Sequence, residues 1–215
     1  MAQYMIHTCK KREWYVKEYL IPSMLEQGIY KHQIIVFTDN GELGNLKAFL
    51  TSLEHVAKPS MFYSGTWHLQ DDVILSSNFR KVTELNDRGV VQGFVSEYDR
   101  DDYYWWSFPC IRIPNTIAAD FLKWMRDVAP TNPEYRMWIS KNKFDDALFK
   151  AYLLEHKAEV THLEPNIVDH IDYLIGGSVA NHQRGLVSVR SVNWPEEDEH
   201  LVTELAAKLK ARQFK

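Results

Sequence analysis

What most constrains the fold is an alternation of two periodicities. Short apolar segments rich in β-forming residues, at residues 4–8, 33–38 and 66–72, are separated by stretches whose apolar residues recur at helical spacing. Trp14, Tyr15, Tyr19, Leu20, Met24 and Leu25 form the first such stripe, closed by Gly28. Leu46, Phe49, Leu50 and Leu53 form the second, with Asn45 placed to cap it after the Asp39-Asn40 turn. Parallel strands need a crossover of a dozen or more residues, which a helix supplies. The spacing therefore predicts an α/β fold with a mixed, mainly parallel central sheet flanked by helices.

The pattern continues along the chain. Ser76 or Ser77 can cap a helix containing Phe79, Val82 and Leu85; residues 89–95 read as a strand, and the polar aromatic residues 98–108 as a long loop. Ile111-Arg112-Ile113 resumes extended structure, and a helix starting at Pro114 turns Phe121, Leu122 and Met125 inward. Asp145-Asp146 opens a helix carrying Leu148, Phe149, Tyr152 and Leu153; residues 160–163 form a strand, residues 165–177 are turn-rich, and Pro195 starts a terminal helix. With 215 residues, 45% of them apolar, this is one domain's worth of chain.

Composition narrows the function classes. The 25 Lys+Arg against 29 Asp+Glu leave a net charge of −4, which supplies no global electrostatic reason to hold nucleic acid. No run of about 18 apolar residues could cross a bilayer, and the start of the chain lacks a basic patch followed by an apolar stretch, so a cytoplasmic protein is expected. Cys9 and Cys110 give neither a disulfide framework nor the spacing of a zinc site, and are expected as buried thiols. After the first strand comes Cys9-Lys10-Lys11-Arg12 in place of the Gly-x-Gly-x-x-Gly turn of dinucleotide enzymes, and the P-loop signature is absent too. A nucleotidyltransferase would also bring an early Gly-rich phosphate loop, which this chain lacks.

The sharpest chemical feature is Asp71-Asp72 at the end of a buried strand. Adjacent carboxylates there repel unless a cation or a capped helix offsets them, and strand ends are where ligands sit in open α/β sheets. A hard divalent ion accepts such oxygens and keeps positions open for phosphate; the same two acids can equally serve the turn before Ser76. A second acid pair, Asp145-Asp146, either complements a helix dipole or offers a carboxylate that takes a proton from an attacking hydroxyl. Tyr103-Tyr104-Trp105-Trp106 places four large aromatics in a row, fit to stack on a sugar or an unpaired base, or to pack over the sheet.

In order along the chain, these motifs resemble the nucleotide-sugar glycosyltransferases of GT-A fold, particularly compact bacterial and phage-encoded members. Residues 67–73, Trp-His-Leu-Gln-Asp-Asp-Val, are similar to the family's DxD-type motif, with Gln70 where an acid is common. Phe144-Asp145-Asp146 resembles the acidic pair that opens an acceptor-side helix in inverting members. Residues 165–172, Pro-Asn-Ile-Val-Asp-His-Ile-Asp, followed by Gly176-Gly177-Ser178, resemble the late Pro-x-x-Val-x-His segment. The resemblance covers residues 3–178 and implies a single GT-A-like domain: a nucleotide-sugar-binding half at 1–95, an acceptor and catalytic half at 96–178, and a C-terminal extension at 179–215.

It further implies a metal-dependent transfer of a sugar from a nucleotide-sugar donor, a UDP-sugar foremost, to a hydroxyl acceptor, with inversion. Asp72 and His170 would hold Mn²⁺ or Mg²⁺, an imidazole ligand favouring Mn²⁺. Thr8, Arg12, Thr38, Asp39 and Asp71 would bind the donor, Asp146 or Asp145 would be the base, and Tyr104, Trp105 and Trp106 would cover the acceptor. Arg12 is either a fork for diphosphate oxygens or an exposed helix-start cation. Two alternatives stand beside this reading. One is a phage-type enzyme acting on hydroxymethylated DNA bases, its phosphates met by Arg80, Lys81, Arg184 and Arg190. The other is a non-enzymatic module that binds carbohydrate or nucleic acid.

Overall fold

The protein is described by a computed structural model that covers residues 2–40, 42–58, 60, 62–96, 108–175, 191 and 193–212. Tyr104, Trp105, Trp106, Gly176, Gly177, Ser178, Arg184 and Arg190 lie outside the described residues. Eight strands are described: β1 (Gln3–Cys9), β2 (Ile34–Asp39), β3 (Gly65–Gln70), β4 (Val73–Leu75), β5 (Val90–Gln92), β6 (Cys110–Pro114), β7 (Val160–His162) and β8 (Val168–His170). Six form one sheet in the order β2-β1-β3-β6-β5-β7, while β4 pairs with β8 apart from it. Every strand of the large sheet runs the same way except β6, which is antiparallel to both β3 and β5. The expected mixed, mainly parallel sheet flanked by helices is what the chain forms.

Strand alternation sorts the core into two layers. Tyr4 and Ile6 of β1, Trp67 and Leu69 of β3, Val91 of β5 and Cys110 of β6 belong to one layer, with Tyr15, Leu20, Met24 and Phe79. Met5, Val90, Ile111 and Ile113 belong to the other, with Phe49, Phe121, Phe149 and Tyr152. The first layer is covered by α1, a helical run composed of Glu13–Tyr15, a π-helical turn at Val16–Leu20, and Ile21–Glu26. It is completed by α3 (Phe79–Leu85) and the terminal helix α8 (Glu199–Arg212). Gly28 ends α1 at φ 80°, where its N–H bonds Leu25 O at 2.8 Å.

The second layer is covered by α2 (Asn45–Val56), α4 (Asn115–Asp127) and α6 (Asp145–Glu155), with α5 (Pro133–Ser140) beside them. Its aromatics interlock: Phe121 meets Phe149 edge-on at 5.0 Å between centroids, and Phe49 meets Phe149 at 6.1 Å. Such pairs add about 0.5–1.5 kcal/mol each beyond area burial. The short α7 (Asp172–Ile175) follows β8. Among the described residues no helix is long and apolar enough to cross a membrane.

Several local expectations need correction. Gly44, at φ 75°, precedes α2 where Asn45 was expected as the cap, because its open-sided backbone makes the turn that brings Asn142 against this segment. The helix expected to hold Phe79, Val82 and Leu85 forms, but Asn78 precedes it in the cap position instead of Ser76 or Ser77, and Leu85 at its last position is 72% exposed. Residues 89–95 pair as a strand only over Val90–Gln92, and the turn-rich residues 165–177 contain β8, whose three residues are too few to show a period. Cys110 is fully buried but Cys9 is only half-buried, lying at the last position of β1.

Candidate functional site

Strand order reverses between β1 and β3: the chain leaves β1 for β2 on one side and returns to β3 on the other. A crevice opens outside the carboxyl ends of strands at such a switch point. The residues emerging there are Thr8 from β1, Arg12 from the turn that follows, and Asp71-Asp72 from the end of β3. The turn closes by a 2.9 Å bond from Arg12 N–H to Cys9 O, after which α1 begins.

Asp71 is the hub of this edge. Its Oδ2 accepts from Thr8 Oγ1 at 2.8 Å and Cys9 N at 3.3 Å, and its Oδ1 accepts from Arg12 Nη1 at 2.8 Å. The same Nη1 donates to Asp72 Oδ2 at 2.5 Å, so one nitrogen bridges both carboxylates. Arg12 is 5% exposed, which excludes the exposed helix-start cation as its role here. Tyr15 of α1 donates its hydroxyl to Val73 O at 2.9 Å, clamping the backbone directly after Asp72.

His170 reaches this edge through the small sheet. Antiparallel pairing of β4 with β8 sets Val73 opposite His170, and Ile171 N–H bonds Asp72 O at 2.8 Å. The imidazole Nε2 then lies 3.2 Å from Asp72 Oδ2, with Phe94 meeting the ring edge-on at 6.3 Å. Neighbours in its motif build the support. Asp169 Oδ1 accepts from His170 N at 3.0 Å and Ser191 N at 2.8 Å, and Asn166 exchanges bonds with the backbone of Val95 at 2.9 and 3.1 Å.

Electrostatics divides the acid pair. Burial and the adjacent Asp72 charge raise Asp71 above the ordinary carboxylate value, against the pull of Arg12 and Thr8. Burial also opposes the Asp72 charge, yet His170 and Arg12 together hold its carboxyl well below the ordinary range. Burial would lower His170, but Asp72 outweighs it and raises the imidazole above its usual value.

Two of the expected donor residues sit one strand away. Thr38 and Asp39 end β2 in register with Thr8 and Cys9, and Asp39 Oδ1 accepts from Leu43 N at 3.3 Å. Asp145-Asp146 belongs to the opposite face of the sheet, at the start of α6, whose Leu148 and Phe149 fill the second core layer. The preceding Asn142 bonds Lys47 N at 3.0 Å and donates to Leu43 O, so this helix start lies at the carboxyl edge of β2. Phe144 just before it has φ 65°, an uncommon conformation for a bulky residue. Burial, then the neighbouring Asp146 charge, push Asp145 up to about 7. Asp146 Oδ1 accepts from Ala147 N at 2.8 Å.

The divalent ion implied by the resemblance has a donor set that fits. Asp72 Oδ1 is buried with no hydrogen-bond partner among the described residues, and the imidazole beside Asp72 supplies nitrogen. Oxygen with one imidazole suits Mn²⁺. Among the described residues no group of three or more His, Cys, Asp or Glu gathers at metal-binding spacing, so an ion here would take its remaining ligands from a bound donor or water. Arg80, expected at phosphates, is ion-paired with Glu84 at 3.1 Å and bonded to Gln27 O at 3.3 Å.

Sequence reasoning missed the pair formed by half-buried His7 and buried His68, whose Nε2 and Nδ1 lie 2.9 Å apart on adjacent strands beside Phe49. Burial lowers His7 to about 4, and burial with His7 nearby holds His68 well below the usual imidazole value, which favours the neutral form of both rings. Their signal was available: each is a histidine inside an apolar strand, on the face that alternation turns toward Met5. Tyr15 and Asp169 carried no signal, since their partners are set by contacts between distant segments.

No family model and no curated protein matches the sequence. Solved structures similar to this chain include glycosyltransferases. One is the galactosyltransferase LgtC, in complex with donor and acceptor sugar analogues, at 11% identity and a TM-score of 0.45 over 75% of this chain and 73% of that one. Another is GlyE of Streptococcus pneumoniae TIGR4, at 9% identity and a TM-score of 0.45, over 76% of this chain and 46% of that one. A third is Drosophila β-1,4-galactosyltransferase 7, in complex with manganese, UDP-Gal and xylobiose. It is 10% identical, with a TM-score of 0.47 over 85% of this chain and 78% of that one. With TM-scores under 0.5, these are likenesses of chain path, and the functional reading rests on the site.

Proposed function

We propose that the chain transfers a sugar from a nucleotide-sugar donor, a UDP-sugar, to a hydroxyl acceptor, with the donor diphosphate at the carboxyl ends of β1 and β3. What supports this reading is one convergence: Thr8, Arg12, Asp71, Asp72 and His170, from three separated pieces of chain, meet within hydrogen-bond distance at the switch point of the sheet. Hydroxyl, guanidinium, carboxylates and imidazole together are what a cation-bridged diphosphate needs. A divalent ion held by Asp72 and His170 would neutralise the departing diphosphate.

Thr8 and Asp71 orient the donor, and Arg12 offers its planar fork to phosphate oxygens. Asp145, held near neutrality, takes the proton of the acceptor hydroxyl as it attacks the sugar carbon, which gives a single displacement with inversion. Of the two acids expected as base, Asp145 is preferred to Asp146 because a base with a pKa near 7 is ionised at working pH while still binding a proton well. The test is release of UDP from a panel of UDP-sugars with saccharide acceptors and Mn²⁺. Wild type should turn over at least one donor, and Asp72→Asn should lose at least a hundredfold. No UDP release and no UDP binding by the wild-type chain would overturn the reading.

A further inference from the structure

The bridge made by Arg12 has a consequence for how the site fills. Its Nη1 lies 2.8 Å from Asp71 Oδ1 and 2.5 Å from Asp72 Oδ2, inside a region where Arg12, Asp71 and Asp72 are 5, 6 and 7% exposed. The two carboxylates therefore already share one cation. Asp72 Oδ2, the oxygen nearest His170, is the one Arg12 occupies at the shorter distance. A divalent ion bound to Asp72 while Arg12 stays in place would set two like charges side by side in a poorly solvated crevice, where repulsion is only weakly screened.

We infer that Arg12 is a displaceable internal counter-ion: it holds Asp71 and Asp72 in the resting protein, competes with the divalent ion for them, and turns to the donor diphosphate when that ion binds. The inference rests on the proposed donor site. Arg12 sits in the short turn between β1 and α1, at the crevice where the diphosphate would lie, on a long side chain with several rotatable bonds. The device gives the site an order of binding. Metal alone must compete with Arg12 for the carboxylates, whereas metal with diphosphate supplies both a replacement cation for them and a new anion for Arg12.

The test measures Mn²⁺ binding by the paramagnetic resonance of the free ion, on the full chain without donor, in wild type and Arg12→Gln. Removal of the competing cation should tighten Mn²⁺ binding by about tenfold, or roughly 1.4 kcal/mol, while UDP binding in the presence of Mn²⁺ weakens. Mn²⁺ should also raise the melting temperature of Arg12→Gln more than that of wild type. Equal or weaker Mn²⁺ binding by a folded Arg12→Gln, judged by circular dichroism, overturns the inference. Should that variant not fold, side-chain ¹⁵N NMR of wild type decides. Arg12 signals should change on adding Mg²⁺ with UDP, and unchanged signals at saturation overturn it. Loss of all Mn²⁺ and UDP binding in wild type refutes the donor-site reading itself, whereas binding abolished by Asp72→Asn yet indifferent to Arg12→Gln refutes only the counter-ion.

Discussion

Asp145 offers a perturbation whose sign and size follow from the structure. Its folded-state pKa of about 7 stands above the ordinary 3.8, because burial and the adjacent Asp146 disfavour its charge. In the unfolded chain the carboxyl ionises near its ordinary value. The folded state thus binds more protons between those two values, and stability falls as pH rises from about 4 to about 7. The full gap, at about 1.36 kcal/mol per pKa unit, is about 4 kcal/mol. Asp145 is half-buried and shares its field with Asp146, so we expect about 1–3 kcal/mol to be realised. Asp145→Asn cannot ionise and escapes this loss. Its stability relative to wild type should therefore improve by that amount between pH 4.5 and pH 8, measured by urea unfolding with circular dichroism. Titrating groups that do not interact with Asp145 contribute equally to both proteins and cancel in the difference. The same carboxyl must be ionised to act as a base, so wild-type turnover should rise with pH through about 7. A stability difference that is flat with pH, or that shrinks toward pH 8, would refute the reasoning, because it would mean that Asp145 ionises as an ordinary surface acid.

Three further outcomes are expected. Gly93→Ala would bring a Cβ to 2.8 Å from both Cys110 Sγ and Ile167 Cγ1, overpacking the core and lowering stability by about 1–3 kcal/mol in denaturant melts. Asp198→Ala removes the buried carboxylate that accepts from Ser77 N at 3.0 Å, and should cost about 1–3 kcal/mol by the same assay. His170→Gln leaves Asp72 without its imidazole partner; Asp72 protonation, followed by NMR, should then move upward in pH, while an unchanged titration would show that the pair does not interact.

Periodicity and turn chemistry are local, and what depends on them was legible in the chain. The order of strands and helices, the inward faces of Phe49, Phe121 and Phe149, the stop at Gly28 and the arrival of Asp71-Asp72 at a strand end all follow from residues a few positions apart. The absence of a Gly-rich phosphate loop after the first strand was equally plain in the sequence. Three-residue strands such as β4 and β8 are too short to show a period, and only their pairing in the folded chain brings His170 to Asp72. The antiparallel run of β6, the Arg12 bridge and the charge state of Asp145 are likewise decided by contacts across the fold. Desolvation and charge pairing depend on which distant groups arrive at a point in space, and no stretch of sequence carries that information by itself.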